Sequence, residues 1–95
     1  IAPLMLSLSP QAAFERARMV AGEMKWQIVA ADPAAGRLEA TDTTLWFGFH
    51  DDIVVRIAAA DGGSRVDVRS VSRVGRSDIG TNAKRIRDFL GRLRA

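Results

Sequence analysis

Near both ends of the chain, the apolar positions recur with the period of a helix. Residues 10–24 and 78–93 each carry an apolar stripe at three- and four-residue spacing. Ser9 and Pro10 precede the first stripe, and a hydroxyl N-cap followed by proline is typical of a helix start. The sequence therefore predicts one helix near each end of the chain. The side chains expected to face the core are Phe14, Ala17, Val20, Ala21, Met24, Ile79, Ala83, Ile86, Phe89, Leu90 and Leu93.

Between the two helices the apolar and polar positions alternate, which is typical of strands with one buried face. Four strands are expected, over about 26–31, 37–41, 53–60 and 65–74. Residues 32–36 combine aspartate, proline and glycine as turns do, and residues 61–64, with sequence Asp-Gly-Gly-Ser, are a strong hairpin signal.

The order of these elements, α-β-β-β-β-α, predicts an α+β fold. Each strand has one apolar face and each helix one apolar stripe, so a four-stranded antiparallel sheet with both helices packed on one face is the simplest arrangement. Residues 9–95 are interpreted as a single domain, and residues 1–8 as the N-terminal extension of an excised fragment, because the chain opens at Ile1. The second sheet face is left to water, a ligand or a partner.

The register of the last hairpin can also be predicted. A hairpin that turns at Gly62-Gly63 brings the apolar faces of its two strands together and places Asp52 directly opposite Arg73. That opposite-charge pair supports the register and is expected within salt-bridge reach. Arg56 would face Arg69, which counts against the register unless a carboxylate lies between them.

Composition and charge narrow the function classes. The chain has no cysteine, so disulfides, thiolate metal sites and cysteine nucleophiles are excluded. Residues 1–52 carry a net charge of −3 and residues 53–95 a net charge of +6. A basic half can attract nucleic acid or anionic lipid, although arginines more often line a solvated surface. The expected arginine face carries no aromatic residue, which argues against nucleic-acid binding.

The longest apolar run, residues 1–8, is far shorter than the roughly 20 residues that span a bilayer. Any contact with a membrane is therefore expected through segments outside this chain.

Three stretches carry a resemblance to a known family: GRLEAT at 36–41, TTLWFGFHDD at 43–52 and RVDVRSVSRVGRSDIGTNA at 65–83. The chain resembles the bacterial and plant family catalogued as domain of unknown function 1499. In bacterial relatives this domain often follows transmembrane helices. The resemblance thus implies the soluble part of a bacterial membrane-associated protein, and it implies no activity because the family has none assigned.

The corner between the fourth strand and the last helix is one candidate site. Arg73, Arg76 and Ser77 stand where a strand end leads into a helix start. Free N–H groups of a helix N-terminus and two guanidinium groups suit a phosphate or carboxylate, so these three residues are anion-binding candidates. The alternative is that Ser77 or Asp78 caps the helix while aspartates at 51, 52 or 67 pair with the arginines.

An aromatic segment is the second candidate. Trp46, Phe47 and Phe49, with His50, hold three of the six aromatic residues around a glycine between two strands. Aromatic side chains with a few polar neighbours line small-molecule pockets and partner surfaces. The alternative is that these residues continue a strand or close one end of the core.

Catalysis has little support in the sequence. His50 is the only histidine, and no nucleophile motif accompanies it. Consecutive strand residues point to opposite faces, so His50, Asp51 and Asp52 cannot converge on a metal ion without a bend. The sequence favours a non-catalytic binding or assembly domain for an unknown protein partner or small anionic ligand, without a cofactor. The alternative is an enzyme or sensor that acts on a small anionic ligand at the corner formed by Arg73, Arg76 and Ser77.

Overall fold

The computed structural model describes residues 2–43, 50–73 and 79–94. The fold is α+β, as predicted, with an antiparallel sheet and two helices. The sheet has five strands rather than the four expected, in the order β1-β5-β4-β3-β2. Its elements are β1 (Leu4–Leu6), α1 (Pro10–Glu23), β2 (Gln27–Asp32), β3 (Arg37–Thr43), β4 (His50–Ala60), β5 (Gly63–Ser72) and α2 (Ile79–Arg94).

The additional strand, β1, lies within the residues interpreted as an extension. It pairs antiparallel with the start of β5, with Leu4 opposite Val66 and Leu6 opposite Ser64. Gly63 permits this close approach, because a side chain there would overlap the backbone carbonyl of Leu6. Three residues are too few to show a period of two, and that is why the alternation pattern missed this strand.

Helix α1 begins as its sequence predicts. The Ser9 side chain accepts a hydrogen bond of 3.1 Å from the backbone N–H of Ala12, with Pro10 in the first turn. At the far end of α2, Arg16 of α1 donates to the carbonyls of Arg92, at 3.2 Å, and Leu93. A guanidinium group at a helix C-terminus satisfies carbonyls without helical partners and interacts favourably with the helix dipole.

Neither helix, among the described residues, is long and apolar enough to cross a membrane.

Both helices pack on the same face of the sheet, as expected. Their buried side chains share one core with the inward positions of the strands, and Trp26 stacks on Phe89 with ring centroids 4.9 Å apart. Met24, expected in the core, lies at its margin and is only partly buried, as are Ile28 and Val68 of the sheet. The buried apolar residues are Leu4, Ala13, Phe14, Ala17, Val20, Ala21, Trp26, Leu38, Ala40, Ile53, Val55, Ile57, Val66, Ile86, Phe89, Leu90 and Leu93.

The predicted register of the β4–β5 hairpin is wrong by two residues. Asp52 faces Val71 instead of Arg73, and Arg56 faces Asp67 instead of Arg69. The chain turns at residues 61 and 62, and Gly62 takes the positive φ of 76° that the turn requires. A shift of two residues keeps every side chain on its predicted face, so the pattern of apolar positions could not distinguish the two registers.

Candidate functional site

The sheet face opposite the helices is the main candidate site, and we call it the exposed face. No helix covers it in the described part of the chain. It is formed by the outward side chains of the three central strands, which are Arg37, Glu39, Thr41, Thr43, His50, Asp52, Val54, Arg56, Ala58, Ala60, Arg65, Asp67, Arg69 and Val71, with Arg73 following β5.

A shallow groove of about 390 Å³ lies in the middle of the exposed face. Val54 and Val71 supply apolar surface in it, and Val71 is 48% exposed. Charged side chains surround these valines. The full lining is Arg37, Asp52, Val54, Arg56, Asp67, Val68, Arg69 and Val71. An apolar surface with a few charged groups around it is typical of small-ligand sites.

Three arginines of the groove occupy neighbouring positions. Arg37 lies directly opposite Arg56 across the β3–β4 pair. Arg69 lies opposite Val54, and therefore one diagonal step from Arg56. Like charges at directly opposed strand positions are destabilising unless a counter-charge is close.

The carboxylates of the exposed face are already engaged by other side chains. The shortest ion-pair distances are 2.8 Å for Arg73 and Asp52, 3.1 Å for Arg65 and Asp67, and 3.5 Å for Arg37 and Glu39. Arg56 and Arg69 form no ion pair or side-chain hydrogen bond with another described residue. The exposed face thus holds two guanidinium groups without a partner in the described chain.

The predicted contact between Asp52 and Arg73 is present, although the register that suggested it is wrong. The two residues are diagonal neighbours, and the Arg73 Nε donates to Asp52 at 2.9 Å while a terminal nitrogen lies 3.4 Å from the Thr41 hydroxyl. The hydrogen bond from Arg73, together with its positive charge, lowers the pKa of Asp52. Arg73 therefore pairs with a carboxylate of the same chain. This pairing is the one expected if the corner does not bind an anion. Arg76 and Ser77 lie outside the described residues.

We expect the pair of Asp52 and Arg73 to affect both the titration of Asp52 and the stability of the protein at acidic pH. In the wild type, Asp52 should titrate below the usual aspartate pKa of about 4, and Arg73→Gln should raise that pKa toward the usual value. Because the folded-state pKa lies below the unfolded one, the contribution of the pair to stability is complete above about pH 4 and disappears as the pH falls through the folded-state pKa. Side-chain carboxyl ¹³C NMR and urea unfolding at pH 7 and pH 3 measure both effects.

The control variant for this titration is Arg87→Gln, which removes an exposed arginine from α2. It should leave the Asp52 titration unchanged. A stability difference between wild type and Arg73→Gln that is as large at pH 3 as at pH 7 would show that Arg73 stabilises the fold by some route other than this pair.

Of the aromatic candidates, only His50 lies within the described residues; Trp46, Phe47 and Phe49 lie outside them. His50 begins β4, is exposed, and its Nδ1 is 3.0 Å from the Thr43 hydroxyl. The next residue, Asp51, is buried on the helix side of the sheet. Within the described ranges, no group of three histidine, aspartate or glutamate side chains could hold a metal ion.

A buried polar cluster that was not predicted from the sequence lies beneath α2. Arg85 is not part of the apolar stripe predicted for the last helix, but its side chain is only 7% exposed. It lies 2.7 Å from Asp51 and 3.0 Å from Asp42, and it donates to Asn82 at 2.7 Å and to Ser70 at 3.1 Å. The sequence did contain one signal for this cluster, which is Asp51. It lies on the same face of β4 as the buried apolar residues, and a buried carboxylate needs a positively charged partner.

This cluster is best understood as structural. Asn82 extends it from Arg85 to the end of β5, because it accepts from the Ser70 hydroxyl at 2.7 Å and donates to Ser72 at 3.3 Å. The groups therefore satisfy one another and join α2 to the ends of β3, β4 and β5.

Two comparisons with known proteins bear on identity. Curated proteins gave no match to the chain. A family model described as "Protein of unknown function (DUF1499)" matches residues 1–93, nearly the whole sequence. This match agrees with the resemblance found in the three sequence stretches, and the chain belongs to the DUF1499 family.

Proposed function

We propose that this chain is a non-catalytic binding domain that holds a ligand or partner on its exposed face. The observation that carries the proposal is the groove of about 390 Å³, where two arginines that form no ion pair with another described residue lie beside apolar surface from two valines. Its described lining offers charge and apolar contact but no nucleophile next to a base, which supports binding over catalysis. The groove lies on paired strands, and such rigid elements position a binding surface well.

The membrane association belongs to the same proposal. The resemblance to bacterial relatives supports a domain that forms the soluble part of a bacterial membrane-associated protein. The proposed binding at the exposed face does not require membrane attachment.

The competing proposal is an enzyme or sensor that acts on a small anion at the corner of Arg73, Arg76 and Ser77. The pairing of Arg73 with Asp52 weakens it, since an external anion would have to displace a carboxylate held at 2.8 Å. The groove, which needs no such displacement at Arg56 or Arg69, is the better supported site.

A photoreactive amino acid placed on the exposed face tests the proposal. In the full-length protein, a diazirine side chain replaces Val71, and the matched control replaces Met19 on the outer side of α1; these positions are 48% and 55% exposed. After irradiation in the producing cells, intact-mass spectrometry should show a discrete adduct at position 71 and none at position 19. Intact mass detects a small ligand and a protein partner equally. Identical adduct profiles at both positions, or no adduct at position 71, would reject the exposed face as a binding surface.

A further inference from the structure

The exposed face brings three arginine side chains close together. Arg37 and Arg56 are directly opposed on neighbouring strands. Arg69, diagonal to Arg56, adds a third guanidinium group, and residues at such diagonal positions are about 7–8 Å apart, within reach of long side chains. Surface charges on long side chains tolerate some crowding because water screens them, but three adjacent cations raise the local potential.

The neighbouring carboxylates do not resolve this crowding. Asp67 is the cross-strand neighbour of Arg56, yet its ion pair at 3.1 Å is with Arg65 on its own strand. Asp52 is engaged by Arg73. Only Arg37 has a carboxylate in contact, Glu39, and at 3.5 Å that contact is long. Among the described residues, none forms an ion pair with Arg56 or Arg69, and both can therefore bind an anion from outside the chain.

We infer that the groove is an anion site for a small organic molecule with two negative charges. This inference rests on the proposed function, and it adds the ligand class. Arg56 and Arg69 hold the charged groups, Arg37 stands at the rim, and the apolar part of the ligand packs on Val54 and Val71.

The size of the groove suits a small molecule, and its arginines favour a dianion. A volume of about 390 Å³ lies at the lower end of the range for small-molecule sites, about 300–1,000 Å³. Guanidinium groups bind phosphate and carboxylate oxygens through paired N–H donors. A single negative charge would leave one of the two available arginines uncompensated, whereas a phosphate monoester or a dicarboxylate engages both. The valines favour a ligand with carbon atoms over a bare inorganic ion.

An NMR titration of the ¹⁵N-labelled domain tests the inference. Inorganic phosphate and succinate are the dianionic probes, and acetate is the monoanionic control. Phosphate and succinate should produce saturable shifts at the amides of residues 37, 54, 56 and 69 and at the arginine Nε–H groups. Acetate should need at least tenfold higher concentration for the same shifts. Equal response to all three probes, or no saturable shift at these positions, would overturn the inference.

Two single variants locate the effect, and a third is the control. Arg56→Gln and Arg69→Gln should each weaken succinate binding by about tenfold or more, because each removes a charge-assisted donor pair. Arg87→Gln on α2 removes the same charge outside the groove and should bind succinate like the wild type. Unchanged affinity in both groove variants would overturn the inference.

Stability provides an independent readout. In low-salt buffer without multivalent anions, Arg56→Gln should raise the melting temperature, because it relieves the repulsion from Arg37; an arginine that only supported the fold would lower it. Added succinate should raise the melting temperature of the wild type more than that of Arg56→Gln. If the anions fail to bind but the probe at position 71 gives a discrete adduct, the ligand class is wrong and the binding face stands. If that probe gives no adduct, the proposed function itself fails.

Discussion

Replacing Arg85 with methionine should lower the free energy of unfolding by about 3–5 kcal/mol, although methionine keeps an unbranched apolar stem at this position. The reason is the carboxylate left behind. Asp51 is 6% exposed in its side chain and its ion-pair partner is Arg85, at 2.7 Å. Removing the guanidinium leaves a buried negative charge without compensation, and it also removes donors to Asn82 and Ser70. Urea unfolding at pH 7, followed by circular dichroism, measures the loss.

The matched control and a double variant make this prediction specific. Arg87→Met makes the same substitution on the exposed side of α2, two residues away, and should change stability by no more than about 0.5 kcal/mol. Adding Asp51→Asn to Arg85→Met should recover part of the loss, because the buried charge is then absent. If the double variant is as unstable as the sum of the two single variants, the two residues are not coupled and the ion pair does not hold α2 to the sheet.

The parts of the fold that the sequence predicted are those with a repeating signal. The stripes of α1 and α2 and the alternation of β2 to β5 each extend over five or more residues, long enough for the two periods to be told apart. Strand β1 covers only Leu4 to Leu6, and its place depends on a partner about 60 residues away in the chain. No local pattern contains that information.

The hairpin register shows a second limit. Both registers place the apolar side chains of β4 and β5 on the buried face, so hydrophobicity does not choose between them. In the observed register the two turn residues are Asp61 and Gly62, and the positive φ falls on the glycine. The observed register also removes the direct opposition of Arg56 and Arg69, which the sequence had marked as a weakness of the predicted one.

The candidate site was predicted in outline and not in detail. One uncovered sheet face followed from the apolar stripes alone, and the charges on it from the strand alternation. Ion pairing among close neighbours decides which arginines are left without a partner in the described chain. Asp67, for example, pairs with Arg65 and not with Arg56. Those pairings are set by distances of a few ångströms that a linear pattern does not encode.

Replacing Phe89 with alanine should also cost about 3–5 kcal/mol in the free energy of unfolding. Phe89 is fully buried, and its ring stacks on Trp26 at a centroid distance of 4.9 Å and an interplanar angle of 19°. The variant loses the transfer free energy of the ring, leaves a cavity between α2 and the sheet, and removes an aromatic contact worth about 0.5–1.5 kcal/mol by itself. Urea unfolding with an unchanged m-value would show that the loss lies in the native state.

The conservative control is Phe89→Leu, which keeps most of the buried volume and should cost no more than about 1.5 kcal/mol. Trp26→Ala in the Phe89→Ala background should cost less than Trp26→Ala alone, because the two rings share one contact. This coupling separates the stacked pair from a general loss of packing. A Phe89→Ala variant whose free energy of unfolding lies within about 1 kcal/mol of the wild type would mean that the core around Phe89 does not hold α2 on the sheet. The arrangement of both helices on one face of the sheet would then be wrong.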